Sequence, residues 1–392
     1  MHNSIQYAKD VCYAIISRCA LIGGHQQKSS HVLIVRVDEI GDYILWRPSL
    51  RMILQSELVK QRRVTLIANS AWKSLYSALD SDLDIHVVWV NKGSFKSNPL
   101  YRYRLLRYVR QKNFEISINP TFSRDPRFDD AIVSAASSTT TYGFEYFNEN
   151  YRGHLKEKPI LTYTHVCNHT THQFELERNY EFALWLNDGT GNRFPFQLTQ
   201  QLDDITRDYS IPDLPDKFAV IFPGSRNVTR KWPCSSFAAV AEFLHEQYNY
   251  SIVICGGPSD VATSSEFKNI TPLPCVDLTG STSLPEFLFV LSKASLLVSV
   301  DTGAFHLSSS VGCRTFGIFN GSQYGRFSPY SKSMSSCTWS IYPEEIENDL
   351  RDPEIVRNRY TYHVDVPYSL VTPSQVMEVI ASALRNDETS CV

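Results

Sequence analysis

Leu296–His306, LLVSVDTGAFH, decides how the chain is read. A compact aliphatic run, Leu296–Val300, stops at Asp301-Thr302-Gly303, and helix-forming residues follow at once. Such a run suits a strand buried on both faces of a parallel sheet. A helix that starts directly after it presents backbone N–H groups and the positive end of its dipole at the carboxyl end of the strand. That arrangement favours an anion, and a diphosphate fits it. Gly303 lets a ligand come close to the backbone, and Thr302 offers a hydroxyl. Asp301 either caps the helix or holds a sugar hydroxyl. An ordinary capped strand–helix turn uses the same residues, so the segment has to be weighed with its neighbours.

The neighbours repeat the pattern. Further strands are predicted at Phe218–Phe222, Ile252–Cys255 and Thr315–Phe319, with helices at Ser235–Gln247, Leu284–Lys293, Ala304–Val311 and Val371–Leu384. The N-terminal half alternates in the same way. Strands are predicted at Val32–Val37, Val64–Ala68, Ile85–Val90 and Glu115–Ile118. A Gly-Asp turn at 41–42 leads into a helix reaching about Lys60, with Pro48 near its first turn, and a second helix spans Pro99–Lys112. Repeated strand–helix alternation implies an α/β fold with parallel sheets covered on both faces. Residues 119–175 show little periodicity, and Gln173–Asn187 reads as a helix. Pro212 and Pro215 among charges mark a linker. The predicted organisation is an N-terminal extension at 1–30, a first Rossmann-like domain at 31–205, a linker at 206–216, a second such domain at 217–370 and a closing helix and tail at 371–392.

Composition narrows the function. The 392 residues are 43% hydrophobic, ample for two cores, and the formal charge of -3 argues against a nucleic-acid partner. Nine cysteines, an odd number without a C-x-x-C pair, read as reduced intracellular usage. Val11–Ile22 is the most apolar N-terminal stretch, but Arg18 interrupts it. It reads as a short helix that packs on the body or lies on a membrane surface.

Two more segments carry chemistry. In Val220–Pro233, VIFPGSRNVTRKWP, a strand ends at Pro223-Gly224 and a polar loop leads to Arg230-Lys231-Trp232. A cation there would meet a leaving diphosphate in place of a metal ion, unless the loop is simply a solvated basic turn. In Arg36–Pro48, RVDEIGDYILWRP, Asp38, Glu39 and Asp42 follow the first strand. A carboxylate there serves as a general base on a hydroxyl, or Asp42 merely caps the next helix. His165, Cys167, His169 and His172 have metal-ligand chemistry without ligand spacing and read as a polar loop. Tyr101–Lys112, with five basic residues, is a solvated helix face or a surface for acidic lipid or phosphate groups.

Taken in order, these segments resemble glycosyltransferase family 9, the bacterial ADP-heptose:lipopolysaccharide heptosyltransferases. The resemblance runs over about 31–325, through Leu33–Leu50, Asn113–Asn119, Thr141–Glu145, Phe222–Trp232, Cys255–Asp260, Asp277–Gly280, Val300–His306 and Phe319–Ser322. It implies a GT-B architecture: two Rossmann-like domains with parallel sheets facing a central cleft, the first for the acceptor and the second for the donor. The final helix would cross back onto the first domain. The implied reaction is inverting and needs no metal or other cofactor. By position, Asp42 matches the catalytic base, with Gly41 in the turn beside it. Lys231 matches the lysine on the donor phosphates. Asp301, Thr302 and Gly303 match the turn that contacts sugar and phosphate, and His306 lies in its helix. Ser225 and Arg226 fall in the phosphate-side loop, and Asp260 near the ribose. The implied partners are an ADP-linked nucleotide-sugar and a lipid-linked glycan, with the protein in the cytoplasm or peripheral on the inner membrane. Asn320-Gly321-Ser322 stands where the family often has Gly-Pro-Thr, and Asp38-Glu39 is unusually acidic. A nucleotide-sugar epimerase or hydrolase of the same architecture, or a non-catalytic nucleotide-sugar-binding protein, would share much of this pattern.

Overall fold

The computed structural model describes residues 13, 15–20, 29–145, 163–168, 173–198, 209, 211, 213–226 and 230–389. The chain forms two compact units. One comprises Met1–Thr170 and Leu176–Phe194; the other comprises Thr171–Glu175 and Pro195–Val392. Of the expected linker at 206–216, residues 206–208, 210 and 212 lie outside the described residues.

The N-terminal unit is built on β1 (Ser29–Arg36), β2 (Arg63–Asn69), β3 (His86–Val90), β4 (Phe114–Asn119), β5 (Thr140–Phe144) and β6 (His165–Cys167). Its main helices are α1 (Ile40–Gln55), α2 (Lys73–Leu79), α3 (Pro99–Gln111), α4 (Asp129–Ala136) and α5 (Glu175–Leu186). The C-terminal unit has β7 (Phe218–Phe222), β8 (Ser251–Ile254), β9 (Cys275–Asp277), β10 (Leu296–Val300), β11 (Arg314–Ile318) and β12 (Thr338–Ile341). Around them lie α6 (Cys234–Tyr248), α7 (Val261–Ile270), α8 (Leu284–Lys293), α9 (Gly303–Ser310), α10 (Glu344–Arg351) and α11 (Pro373–Thr389).

Both sheets are parallel throughout. The first runs β3-β2-β1-β4-β5-β6 and the second β12-β11-β10-β7-β8-β9. Numbered within its own unit, each sheet has the order 3-2-1-4-5-6 of the doubly wound dinucleotide-binding fold. The strands β1, β7 and β10 are aliphatic runs buried on both faces, as central parallel strands require.

Several expectations change. The Gly41-Asp42 turn is instead the first turn of α1, because Glu39 caps the helix and Asp42 stands at the third helical position. Pro48 consequently lies inside α1 and removes an internal donor there. His165–Cys167 is an edge strand rather than a loop, while His169 and His172 lie outside the described residues. The final helix, expected to cross back to the first domain, belongs to the C-terminal unit. Val376, Ile380 and Ala383 on its apolar face join Phe237, Val240 and Leu244 of α6 in one core. At the other end of the chain, Ala20 is fully buried in the N-terminal core and Ser17 accepts a hydrogen bond from Arg102 of α3 at 3.2 Å. Val11–Ile22 therefore packs on the body where it is described. Arg102, 3% exposed with its guanidinium over Phe95, is also subtracted from the supposed solvated face of α3.

Helices α1 and α2 are joined by a buried charge. The side chain of Asp80 is fully buried and accepts from the Tyr43 hydroxyl, from Arg47 Nε at 2.7 Å and from Arg51 Nη2 at 2.9 Å. Removing the carboxylate strands the nearly buried Arg47 guanidinium. Asp80→Ala is expected to cost about 3–5 kcal/mol in equilibrium urea unfolding, as for other broken buried pairs.

Candidate active site

In an open parallel sheet, ligands bind beyond the carboxyl ends of the strands, where the strand order reverses. Here the reversals fall between β1 and β4 and between β7 and β10. The loops and helices after β1, β7 and β10 contain the sequence-predicted residues except Asp260, which follows β8.

In the C-terminal unit the loop after β7 meets the loop after β10 through one ion pair. Arg230 Nη1 lies 3.0 Å from Asp301 Oδ2, with 31% and 12% of the side chains exposed. Burial raises the affinity of the Asp301 carboxyl for its proton, and the adjacent guanidinium works against that. The side chain of Thr302, the residue before α9, makes no cap hydrogen bond. Its Oγ1 lies 3.2 Å from Ser299 Oγ. Thr302 thus leaves the anion-attracting start of α9 uncapped by its own side chain.

Arg230 is held by its neighbour. Trp232, 2% exposed, stacks edge-on against Phe237 and donates from Nε1 to the Val371 carbonyl at 2.8 Å. The segment that supplies Val371 is fastened upstream by Asn320, which donates from Nδ2 to the Val366 carbonyl at 2.9 Å. Asn320 is the departure from Gly-Pro-Thr noted in the sequence. Between these ties, buried Tyr368 has its phenol proton held mainly by burial and further by the Asp301 charge.

Three loops close over the other side of β7. Asp260 Oδ2 accepts from the Gly257 N–H at 2.8 Å. Its carboxylate lies so close to Gly224 that a Cβ there would stand 2.3 Å from Asp260 Cγ. A Cβ on Gly256 would come 2.9 Å from Asp260 Cβ. Gly280, with φ +73°, donates its N–H to the Gly256 carbonyl at 2.9 Å. The GG-P-S-D and D-L-T-G segments are therefore one packed unit against Gly224.

The other predicted residues are distributed unevenly. Lys231 is exposed, and the cation that reaches Asp301 is Arg230, its neighbour in sequence. Ser225 is half-buried and Arg226 exposed in the loop after β7. His306 is 5% exposed and lies 2.8 Å, through Nδ1, from the Tyr330 hydroxyl. Burial pushes its pKa down to about 3, so it is a neutral packing residue under α9 rather than a surface group.

In the N-terminal unit, Asp38 is the hub. Its carboxylate pairs with buried Arg36 at 2.8 Å, and its carbonyl accepts from Asn69 Nδ2 at 2.9 Å and Trp72 Nε1 at 3.1 Å. Arg36 also donates to the Pro120 carbonyl at 2.7 Å, tying in the loop after β4. Glu39 pairs with Lys92 at 3.1 Å, beyond β3. Asp42 Oδ2 accepts from the Glu39 N–H at 3.2 Å, which completes a capping box. Gly41 is buried in the same helical turn. Asp129, at the start of α4, was not legible as a site residue because the stretch around it lacks periodicity. Its carboxyl is pushed up to about 8, first by burial and then by the negative charge of Asp38.

Two outcomes follow. Between its ordinary value of 3.8 and about 8, Asp129 is protonated in the folded chain and ionised in the unfolded one. Stability therefore falls as pH rises through that window. Asp129→Asn is expected to raise Tm at pH 8 and leave it little changed at pH 4. Gly224→Ala is expected to lower Tm by displacing the Asp260 carboxylate, and Asp260→Ser in the same chain is expected to restore much of the loss.

Comparison with known proteins fits this geometry. Lipopolysaccharide heptosyltransferase 3 of Escherichia coli is 28% identical over 138 residues, 34% of this chain and 40% of that protein. The aligned stretch thus spans well under half of that relative. A family 9 glycosyltransferase from Veillonella parvula superimposes with a TM-score of 0.63 at 17% identity, covering 93% of this chain and 100% of the other. E. coli heptosyltransferase WaaC with ADP superimposes with a TM-score of 0.64 at 16% identity, covering 90% and 99%. At those identities the superpositions speak for the two-domain GT-B fold. The family model for glycosyltransferase family 9 (heptosyltransferase) matches residues 102–354, from α3 through both switch-point loops of the second sheet and past α10. On that match, well over half of the chain's length, the chain belongs to glycosyltransferase family 9, the heptosyltransferases.

Proposed function

We propose that the chain transfers a sugar, a heptose, from an ADP-linked donor to a hydroxyl of a lipopolysaccharide core or related envelope glycan, with inversion and without a metal. The observation that carries this reading is the Arg230–Asp301 pair beside the uncapped start of α9, at the switch point of the second sheet. A cation and a helix N-terminus suit a diphosphate, and a carboxylate beside them suits sugar hydroxyls. Family membership and the names of the relatives, heptosyltransferases of lipopolysaccharide, supply the sugar and the acceptor class. The solved relative that holds ADP supports the nucleotide.

In the proposed reaction, Asp42 removes the proton from the acceptor hydroxyl. The acceptor oxygen forms a bond to the anomeric carbon from the side opposite the diphosphate. The bond from that carbon to the phosphate oxygen breaks, and its electron pair leaves with ADP. Arg230 and the N–H groups of Thr302 and Gly303 stabilise the charge that develops on the departing oxygen, the role the family resemblance implies for Lys231. Ser225 and Arg226 line the phosphate side. Asp260 shapes the nucleoside end by holding the loops after β7 and β8 together. Among the described residues no helix is long and apolar enough to cross a membrane. The proposed contact with a lipid-linked acceptor is peripheral, at the cytoplasmic face of the inner membrane, and the basic residues of α3 other than Arg102 are suited to anionic headgroups.

The test pairs binding with turnover. ADP, UDP, GDP and dTDP sugars are screened by thermal shift, and transfer is followed by mass spectrometry of a lipopolysaccharide-core acceptor. Asp42→Ala is expected to lose at least about a thousandfold in kcat while the ADP-sugar shift is retained. Full activity in that variant would remove Asp42 as the base. A shift with a different nucleotide would replace the donor.

A further inference from the structure

The Arg230–Asp301 ion pair holds together two groups that a nucleotide-sugar would separate. We propose that it is an exchange latch: the donor diphosphate draws Arg230 away, the donor sugar hydroxyls replace it at Asp301, and loss of the sugar restores the pair and expels the nucleoside diphosphate. The latch rests on the donor-site reading above and adds to it a rule for discriminating substrate from product.

The two partners differ in freedom. Asp301 is fixed at the end of the buried strand β10, with its side chain 12% exposed. Arg230 has a pinned backbone, because Trp232 two residues on is tied to Val371, but its guanidinium is 31% exposed and can swing. Among the described groups, Arg230 is the one charge that offsets the burial of Asp301. Tyr368 and Tyr342, which also respond to the Asp301 charge, are buried neutral phenols. When the guanidinium turns to an anion, Asp301 is left as a nearly buried carboxylate with no counter-charge, next to further negative charge. An isolated buried carboxylate is costly, and hydrogen-bond donors relieve the cost. A sugar hydroxyl supplies such a donor, and a bare nucleoside diphosphate does not.

The consequence is directional. A nucleoside diphosphate takes up Arg230 but leaves Asp301 uncompensated, so it binds weakly. A nucleotide-sugar opens the pair and satisfies both halves. After transfer the sugar is gone, Asp301 recaptures Arg230, and the product leaves. Asp301 is in this sense a specificity-determining residue, acting on the diphosphate through Arg230.

Isothermal titration with ADP and ADP-heptose tests the latch in wild type, Asp301→Asn, Arg230→Gln and the double variant, with circular dichroism to check folding. Asp301→Asn is expected to tighten ADP about tenfold, equivalent to about 1.4 kcal/mol. It is also expected to shrink the preference for ADP-heptose over ADP, and product inhibition by ADP rises in step. Arg230→Gln is expected to abolish the gain in the double variant. Unchanged or weaker ADP binding in a folded Asp301→Asn protein overturns the latch, as does a gain that survives loss of Arg230. If wild type binds neither ADP nor ADP-heptose, the donor-site reading falls and the latch with it, a result separable from the others because it appears before any substitution.

Discussion

Parallel strands can be joined only by crossovers that carry the chain back to the starting end of the sheet. Every loop that leaves a strand's carboxyl end therefore gathers on one rim, and where the strand order reverses, two neighbouring loops diverge and leave room between them. This constraint acts twice in the chain, because both sheets have the same internal order. It places Asp38 and Asp42 at one reversal and Arg230 and Asp301 at the other. The remaining features serve to fasten those rims. Arg36 and Asn69 bind the first one around Asp38, and Trp232, Asn320 and the Gly224–Asp260 packing bind the second.

The two rims are electrostatically unlike. The first is rich in carboxylates, with Asp38, Glu39 and Asp42 partly relieved by Arg36 and Lys92, while Asp129 keeps its proton up to about pH 8. A negative rim suits the removal of a proton from a neutral hydroxyl and is poorly suited to polyphosphate. The second offers a guanidinium and a helix start and suits polyphosphate. Those charges suit the two rims to different groups.

Much of the fold was legible in the sequence, for a physical reason. Central parallel strands are buried on both faces, so Phe218–Phe222 and Leu296–Val300 are written as unbroken apolar runs. The edge strands β9 and β12 are short and only partly buried, and their mixed composition carried no comparable signal. Between β4 and α5, order comes from polar ties such as Tyr163 to Asn119 and Asp130, which leave no periodicity. Among the candidate residues, Asp42 and the Asp301 turn could be picked out because each closely follows a strand. The choice between Arg230 and Lys231 could not, since adjacent cations look alike until Trp232 fixes which one faces Asp301. His306 shows the opposite: its motif adjoins the Asp301 turn, but its side chain is buried against Tyr330.

One feature of the sheets bears on the life of the protein before it is folded. β6 and β9 each form one edge of their sheet, and each is only three residues long. An open strand edge is a template on which another chain can add by backbone hydrogen bonding. Three residues offer too short a ladder for a stray strand to grip. Parallel sheets assemble slowly because their contacts are distant in sequence, so nascent chains expose such edges for longer than hairpin proteins do. At those two edges the short ladder gives crowded chains of this fold a built-in resistance to clumping during synthesis.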